Sequence, residues 1–364
     1  MSLPFDVIVM GGGPAGIAAA LTLARAGRRV AVIERTRYDG VRIGETLPPR
    51  ARPLLAALGL PTQLQHDGHL IAPGIVAAWG NPESHSNDFI VNPYGNGWHL
   101  DRPRFDRMLA VHARDSGVTV CEQTAVTACE PDDNGWRIGL QSAVGSAAIA
   151  CRFVVDAMGR RASPIKRYAG RRIVHDRLIG IAAFTSRSPT SDHRMLIEST
   201  AGGWWYSALL PGERHVTVYM TDADTIDSRR NDLAGFLQRR LHDAPHTRAC
   251  CGGLTDAALV APFAAMTYSH TKVHGSNWLL AGDAAMTWDP LSGQGICKAL
   301  ESGMHAARAI DCALNGDNHG LNDYAQWTRT QFDGYLQSRA KYYRTEQRWP
   351  DAPFWRRRHL GKLA

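Results

Sequence analysis

A short apolar strand that runs straight into a glycine-rich turn constrains this chain more than anything else in it. Phe5 to Met10 (FDVIVM) is apolar and rich in β-branched residues, as a buried strand requires. Gly11-Gly-Gly13-Pro14-Ala15-Gly16 follows, then an alanine- and leucine-rich helix that Gly27 ends. A second apolar strand, Val30 to Ile33, stops at Glu34. In this strand–turn–helix–strand setting each glycine has its own task. Gly11 allows the tight turn, Gly13 lets backbone approach a pyrophosphate, and Gly16 lets helix and strand pack closely. Pro14 and Ala15 open the helix, whose N-terminus turns N–H groups and its positive dipole end toward phosphates. Glu34, with Arg35 beside it, falls where a carboxylate meets ribose hydroxyls and repels a 2′-phosphate. The pattern predicts a bound dinucleotide on an α/β layer.

Near the other end Asn277 to Ala281 is another short apolar strand, followed by Gly282-Asp283 and then by Asp289-Pro290-Leu-Ser-Gly293-Gln294-Gly295. Behind it Ile296, Leu300, Gly303, Ala307 and Ile310 keep helical spacing. An aspartate closing a strand can accept from a polyol hydroxyl. A glycine-rich helix start can set N–H groups against an electron-rich ring. Two further stretches are Trp98-His-Leu-Asp-Arg102-Pro-Arg-Phe-Asp106 and Phe153-Val-Val-Asp156-Ala-Met-Gly159-Arg160. Taken in order, these four motifs resemble the flavin site of the glutathione-reductase-type FAD superfamily. Met158 stands where that superfamily usually has threonine. The resemblance implies FAD, with Asp283 on the ribityl chain, Pro290 and Gly293 to Ile296 at the flavin ring, and Arg102, Asp156 and Gly159 along the cofactor.

Arg42-Ile-Gly44-Glu45-Thr-Leu-Pro48-Pro49 resembles a segment of the tryptophan-halogenase-like flavoproteins, and Gly203-Trp204-Trp205-Tyr206 to Pro211 stands in place of their tryptophan-rich strand. Two features of those halogenases are missing. Residues 47 to 98 contain no lysine, and Ser292 occupies the place of a glutamate. The chain is similar instead to the small flavoproteins that accompany cysteine-tryptophylquinone oxidases such as lysine ε-oxidase and glycine oxidase. That similarity includes Gly74 to Gly80 with Trp79, the Gly203–Pro211 strand, and the tail from Tyr342 through Glu346, Arg348 and Trp349. It implies a monooxygenase that hydroxylates a tryptophan side chain of a partner protein precursor. Electrons would come from NAD(P)H or a separate reductase, and the oxygen from O2. A single G-x-G-x-x-G implies no dedicated nicotinamide domain. A flavin oxidase, reductase or halogenase acting on a small natural product stays open beside it, as does a non-catalytic flavoprotein that chaperones an oxidase subunit.

Composition bears on what is left. With 44% hydrophobic and 21% charged residues the chain is an ordinary globular one. The net charge of +7 is scattered apart from Arg356-Arg357-Arg358-His359, so no nucleic-acid site is expected. Seven cysteines without a C-x-x-C pair point to reduced thiols, with neither a disulfide framework nor a metal site. No apolar run reaches membrane length and no leader pattern opens the chain, so a cytoplasmic protein is expected.

The expected fold is α/β: a Rossmann-like FAD-binding domain over residues 1–168 plus 272–312, with residues 75 to 95 standing apart. Residues 169–271 should form an antiparallel-sheet substrate domain, and 313–364 a helical end. Strands are predicted at Leu178 to Thr185, Arg194 to Glu198, Gly203 to Leu210 and His215 to Thr221, and a helix from Ser228 to Leu241. Trp204 and Trp205 are adjacent, so a strand sends them to opposite faces. One is expected in the core and the other in an aromatic pocket with Trp79. Glu45 is read as a catalytic or cofactor-edge carboxylate, with a surface role as the alternative. The arginines of the tail suit docking of an acidic partner. The alternative there is a tail that packs Trp349 and Trp355 and leaves its arginines in water.

Overall fold

The computed structural model describes residues 5–62, 64–161, 163–186, 192–226, 232–254 and 257–360. Its helices are α1 (Pro14–Arg25), α2 (Ala51–Ala57), α3 (Arg102–Asp115), α4 (Leu233–Leu241), α5 (Pro245–Cys251), α6 (Gly295–Leu314), α7 (His319–Thr345) and α8 (Pro353–Leu360). Among the described residues no helix is long and apolar enough to cross a membrane.

The first layer is an eight-stranded sheet built around five parallel strands. Phe5–Met10 lies between Val30–Ile33 and Gly145–Asp156, with Thr119–Cys121 and Trp278–Leu280 outside them. Their carboxyl ends are in register: Met10 pairs with Ile33 and Asp156, and Asp156 with Leu280. These strands are apolar almost throughout because helices cover the sheet. The close packing of α1 on α6 depends on one glycine, since a Cβ on Gly303 would stand 2.2 Å from the Ala15 carbonyl oxygen.

The second layer is a seven-stranded sheet in the order Leu259–Ala264, Leu178–Ser186, Arg214–Asp222, Gly203–Leu210, Met195–Thr200, Gly74–Ala78, His85–Asp88. All neighbours are antiparallel except Met195–Thr200 with Gly74–Ala78. The last two strands come from the residues 75-to-95 stretch, so the first hundred residues supply one end of this sheet. Alternation then divides it into two apolar faces. Leu178, Ala182, Trp204, Ala208 and Val218 pack against Tyr343, Phe354 and Trp355 from α7 and α8. Ile181, Ala183, Trp205 and Tyr219 pack against Leu237 and Leu241 of α4 and Cys251 of α5. The predicted strands are present with ends displaced by a residue or two. After Leu259–Ala264 the chain leaves this sheet, and Tyr268–His270 joins Arg172–Val174 and Met286–Thr287 in a separate small sheet. Ser228, where the sequence starts the helix of this region, lies outside the described residues.

Two clasps tie the tail to the sheet. The buried Glu346 accepts from the Gly80 N–H (2.8 Å), Ser199 Oγ (2.6 Å) and Arg348 (2.6 and 2.9 Å). Arg358 donates to both oxygens of Asp222 (2.8 and 3.2 Å), and Arg357 bridges Asp222 and Asp224. The tail packs Trp355 into the core and Trp349 against it, as the second reading expects, but it does not leave all its arginines in water. Arg357 and Arg358 fasten α8 to the sheet, and of the three arginines only Arg356 is exposed.

Candidate functional site

The glycine loop shows why three glycines are needed at this spacing. Gly11 has φ +103°, and a Cβ there would lie 2.5 Å from the Ala157 carbonyl oxygen. A Cβ on Gly16 would lie 1.9 Å from the Gly11 carbonyl oxygen. Gly13 is different. Its φ of −77° suits any residue, and a Cβ there would meet nothing within 4 Å. Gly11 and Gly16 therefore serve the fold, while Gly13 keeps space open. Pro14 and Ala15 begin α1, which has no side-chain cap, so the positive end of its dipole faces that space.

Glu34 is buried beneath the loop. Its carboxylate accepts from the Gly12 N–H (3.0 Å) and from the N–H and hydroxyl of Thr36 (2.9 and 2.6 Å). The sequence directs Glu34 at ribose hydroxyls; in the structure it first holds the glycine loop, and ribose would have to share its remaining lone pairs. Arg35 is exposed. Tyr38, which the sequence reading missed, donates its hydroxyl to the Gly12 carbonyl (3.2 Å). Arg42 and Arg102 both pair with the fully buried Asp106, and Arg102 also donates to the Ile43 and Gly44 carbonyls (2.9 and 3.0 Å). The motif around Arg102 thus pins the segment that carries Glu45.

Across the sheet Asp156 accepts from the Met158 N–H (2.9 Å), and burial pushes its carboxyl above the usual value. Gly159 has φ +69° and open space on its Cβ side. Gly282 has φ +61° and touches α1, its Cβ direction ending 2.7 Å from Ala15 Cβ. Asp283 beside it remains partly exposed. Lys298 Nζ donates to its Oδ1 and Arg160 Nε to its Oδ2 (3.2 Å). Burial alone would push the Asp283 carboxyl up; Lys298 and Arg160 overcome this and hold it below its usual range. Pro290 opens the 3-10 turn before α6, and Gly293 (φ +59°) closes it. A Cβ on Gly293 or Gly295 would meet nothing within 4 Å. Gln294 Oε1 is buried without a protein partner, and Ile296 is buried behind it.

Gly11 to Gly16, Glu34, Asp156, Gly159, Gly282, Asp283 and the start of α6 therefore converge at the carboxyl ends of the parallel strands, the usual ligand position in such sheets. Lys298 and Arg160 were not singled out from the sequence. Arg160 stood in plain view after Gly159. Lys298 had one signal, a lysine among Ile296, Cys297, Ala299 and Leu300.

The four side chains read as catalytic divide between two faces. Glu45 is 3% exposed; its Oε2 accepts from the Gly44 N–H (3.0 Å) and its Oε1 has no protein partner. Burial pushes this carboxyl up, against the Gly44 bond, Arg102 and Arg214. It is not a surface carboxylate. Next to it Thr46 Oγ1 meets the Tyr206 hydroxyl (2.9 Å) and His99 Nδ1 (3.3 Å). Burial pushes His99 down to about 4. Trp204 shares this face but is 1% exposed, with its indole N–H on the Tyr343 hydroxyl (3.0 Å). Trp79 stands edge-on to Trp204, Tyr343 and Trp355 and donates to the Tyr342 carbonyl (2.9 Å). Trp205 points the other way, 0% exposed against Tyr219 with ring centroids 4.7 Å apart. Trp205 is therefore a core residue, and the reason is strand alternation together with the α4–α5 layer behind the sheet.

A family model described as "FAD binding domain" matches residues 4–333. Over 98% of its length the chain is 30% identical to LodB of Marinomonas mediterranea, described as a candidate FAD-dependent oxidoreductase, and it spans 97% of that protein. The structure superimposes with TM-score 0.89 and 25% identity on the myxobacterial chondrochloren halogenase CndH, covering 99% of this chain and 86% of the halogenase. On the peptidyl tryptophan dihydroxylase QhpG, essential for tryptophylquinone cofactor biogenesis, it superimposes with TM-score 0.82 and 28% identity, covering 98% of this chain and 79% of QhpG.

Proposed function

Because this chain belongs to the FAD-binding-domain family and is an FAD-dependent enzyme, we propose that it is a monooxygenase whose substrate is a tryptophan side chain within a partner protein precursor. The observation that carries the substrate class is the likeness to QhpG across nearly the whole chain. The geometry fits FAD on its own terms. The glycines at positions 13, 159, 293 and 295 leave open backbone where a Cβ would touch nothing, and Gln294 Oε1 and Arg102 Nε are buried polar atoms without partners. In this reading Gly11 to Gly16 hold the pyrophosphate, and Glu34 and Arg35 flank the adenosine. Asp283 takes ribityl hydroxyls, and Pro290 with Gly293 to Ile296 borders the flavin, with Arg102, Asp156 and Gly159 as supports. Reduced FAD supplies the electrons and the place where O2 is activated. The protein's share is binding, orientation and exclusion of water.

Glu45 and Trp79 would border the substrate, Glu45 as a buried carboxylate able to accept from an indole N–H, while Trp204, expected in the pocket beside Trp79, is sealed in the core at 1% exposed. The Trp79 N–H is already bonded to the Tyr342 carbonyl, so this ring contributes shape rather than a polar contact. Electrons would come from NAD(P)H or a separate reductase; a cavity of about 350 Å³ beside Arg160 is lined by Arg161, Lys166, Arg172, Tyr268 and His270. Its cations suit a dinucleotide's phosphates.

A halogenase acting on a small molecule is the second reading, favoured by CndH. The missing lysine in residues 47 to 98 and Ser292 in place of glutamate count against it. One experiment separates the two. Reduced holoprotein is given O2 and a quinone-oxidase precursor, and in parallel O2, chloride and free tryptophan. A precursor heavier by oxygen atoms supports the hydroxylase; chlorotryptophan with an unmodified precursor overturns it.

A further inference from the structure

Lys298 lies one turn into α6, among apolar neighbours, with its side chain 1% exposed. A lysine there loses its hydration, so it needs partners good enough to keep the charged form. It has two. Nζ donates to Asp283 Oδ1 and to the Met286 carbonyl (2.8 Å), and the ammonium lies 5.6 Å from the centre of the Trp288 ring. Trp288 in turn stacks on Tyr335, 5.0 Å apart at 5°. Arg160 binds the second Asp283 oxygen and is itself anchored on the Met266 and Trp288 carbonyls (2.7 and 3.3 Å). Asp283 cannot rotate without breaking an ion pair, yet its side chain stays 34% exposed. Two cations against one carboxylate leave a net positive charge.

We propose that Lys298 is a positioning residue for FAD: it fixes Asp283 against the ribityl chain, and its buried charge favours the reduced, more electron-rich cofactor. The proposal rests on the cofactor site assigned above. Buried charge of this kind acts at a distance because little water screens it. Arg160 belongs to the cavity wall and is reached by solvent, whereas Lys298 is sealed.

The test measures FAD dissociation constants and flavin midpoint potentials for Lys298→Met, Asp283→Asn and the double variant. Losing a charge-assisted hydrogen bond should weaken FAD binding by Lys298→Met about tenfold or more. Its potential should fall. If Lys298 acts through Asp283, adding Lys298→Met to Asp283→Asn costs little further affinity, whereas a general packing role makes the losses add. Should Lys298→Met alone fail to fold, the double variant removes the ion pair as a unit. The comparison is then Asp283→Asn against the double variant, which differ only in the lysine, and the potential should be lower in the double. Weak FAD binding by Asp283→Asn, with wild-type affinity and potential in Lys298→Met, overturns the proposal alone. Wild-type FAD affinity in Asp283→Asn overturns the cofactor site as well.

Discussion

At the carboxyl ends of the parallel strands backbone is left bare, and a Cβ on Gly13, Gly159, Gly293 or Gly295 would reach nothing. On the antiparallel sheet the surfaces are sealed. Trp204, Trp205, Tyr343 and Trp355 are each at most 1% exposed, and one face is closed by residues more than a hundred positions away in sequence. The difference teaches where each region's stability comes from. The cradle is formed by a turn and two helix starts brought together at the strand ends, and what it leaves bare is backbone. The sheet is held by long-range aromatic packing and two ionic clasps, and its polar groups are turned inward. Ligand binding and folding should therefore respond to different substitutions.

The contrast breaks most plainly if the tail proves dispensable. Trp355→Ala removes a fully buried indole whose N–H donates to the Thr200 carbonyl (2.8 Å). It should lower stability by about 3–5 kcal/mol, read by denaturant unfolding. A loss under about 1 kcal/mol would mean α8 is not part of the sheet's core.

Gly13→Val should do the reverse. The apoprotein should melt near the wild-type temperature, because the position has ordinary φ and open space. FAD binding should fall by about two orders of magnitude, ~3 kcal/mol, since a side chain would stand where backbone meets the pyrophosphate. Unchanged FAD content by absorbance would move the site elsewhere. Gly16→Val, with a contact at 1.9 Å, should instead lose the fold.

Glu346 sharpens the comparison through pH. Burial pushes its carboxyl up, but the hydrogen bonds from Arg348 and Ser199 prevail and bring it down to about 2 from 4.5. A folded value below the unfolded one means the clasp stabilises above pH 4.5 and is lost as pH falls toward 2. Between wild type and Glu346→Gln the stability difference should shrink by about 2 kcal/mol across that window. A pH-independent difference would show that the charge contributes nothing. The smallest effect should come from Arg356→Glu, within ~0.5 kcal/mol of wild type, because the side chain is exposed. Arg358→Glu would by contrast set two carboxylates together in the core, and a comparable result for both would dismiss the clasp.

What the sequence determined by itself was everything carried by local spacing. The strand–turn–helix with Gly11, Gly13 and Gly16 needs only neighbouring residues to be recognised, and so do the Gly282–Asp283 turn and the strands at Leu178, Gly203 and His215. Alternation alone already separated Trp204 from Trp205. The tertiary structure decided what lies opposite each residue. It placed Trp205 on the core face, gave both Trp204 and Trp79 bonds to α7, and turned Glu34 toward Gly12. It also brought Lys298 onto Asp283 and Arg358 onto Asp222. Such pairings have no sequence signature because the partners are far apart along the chain, and a buried charge or indole takes its role from whichever group the fold sets within hydrogen-bonding distance.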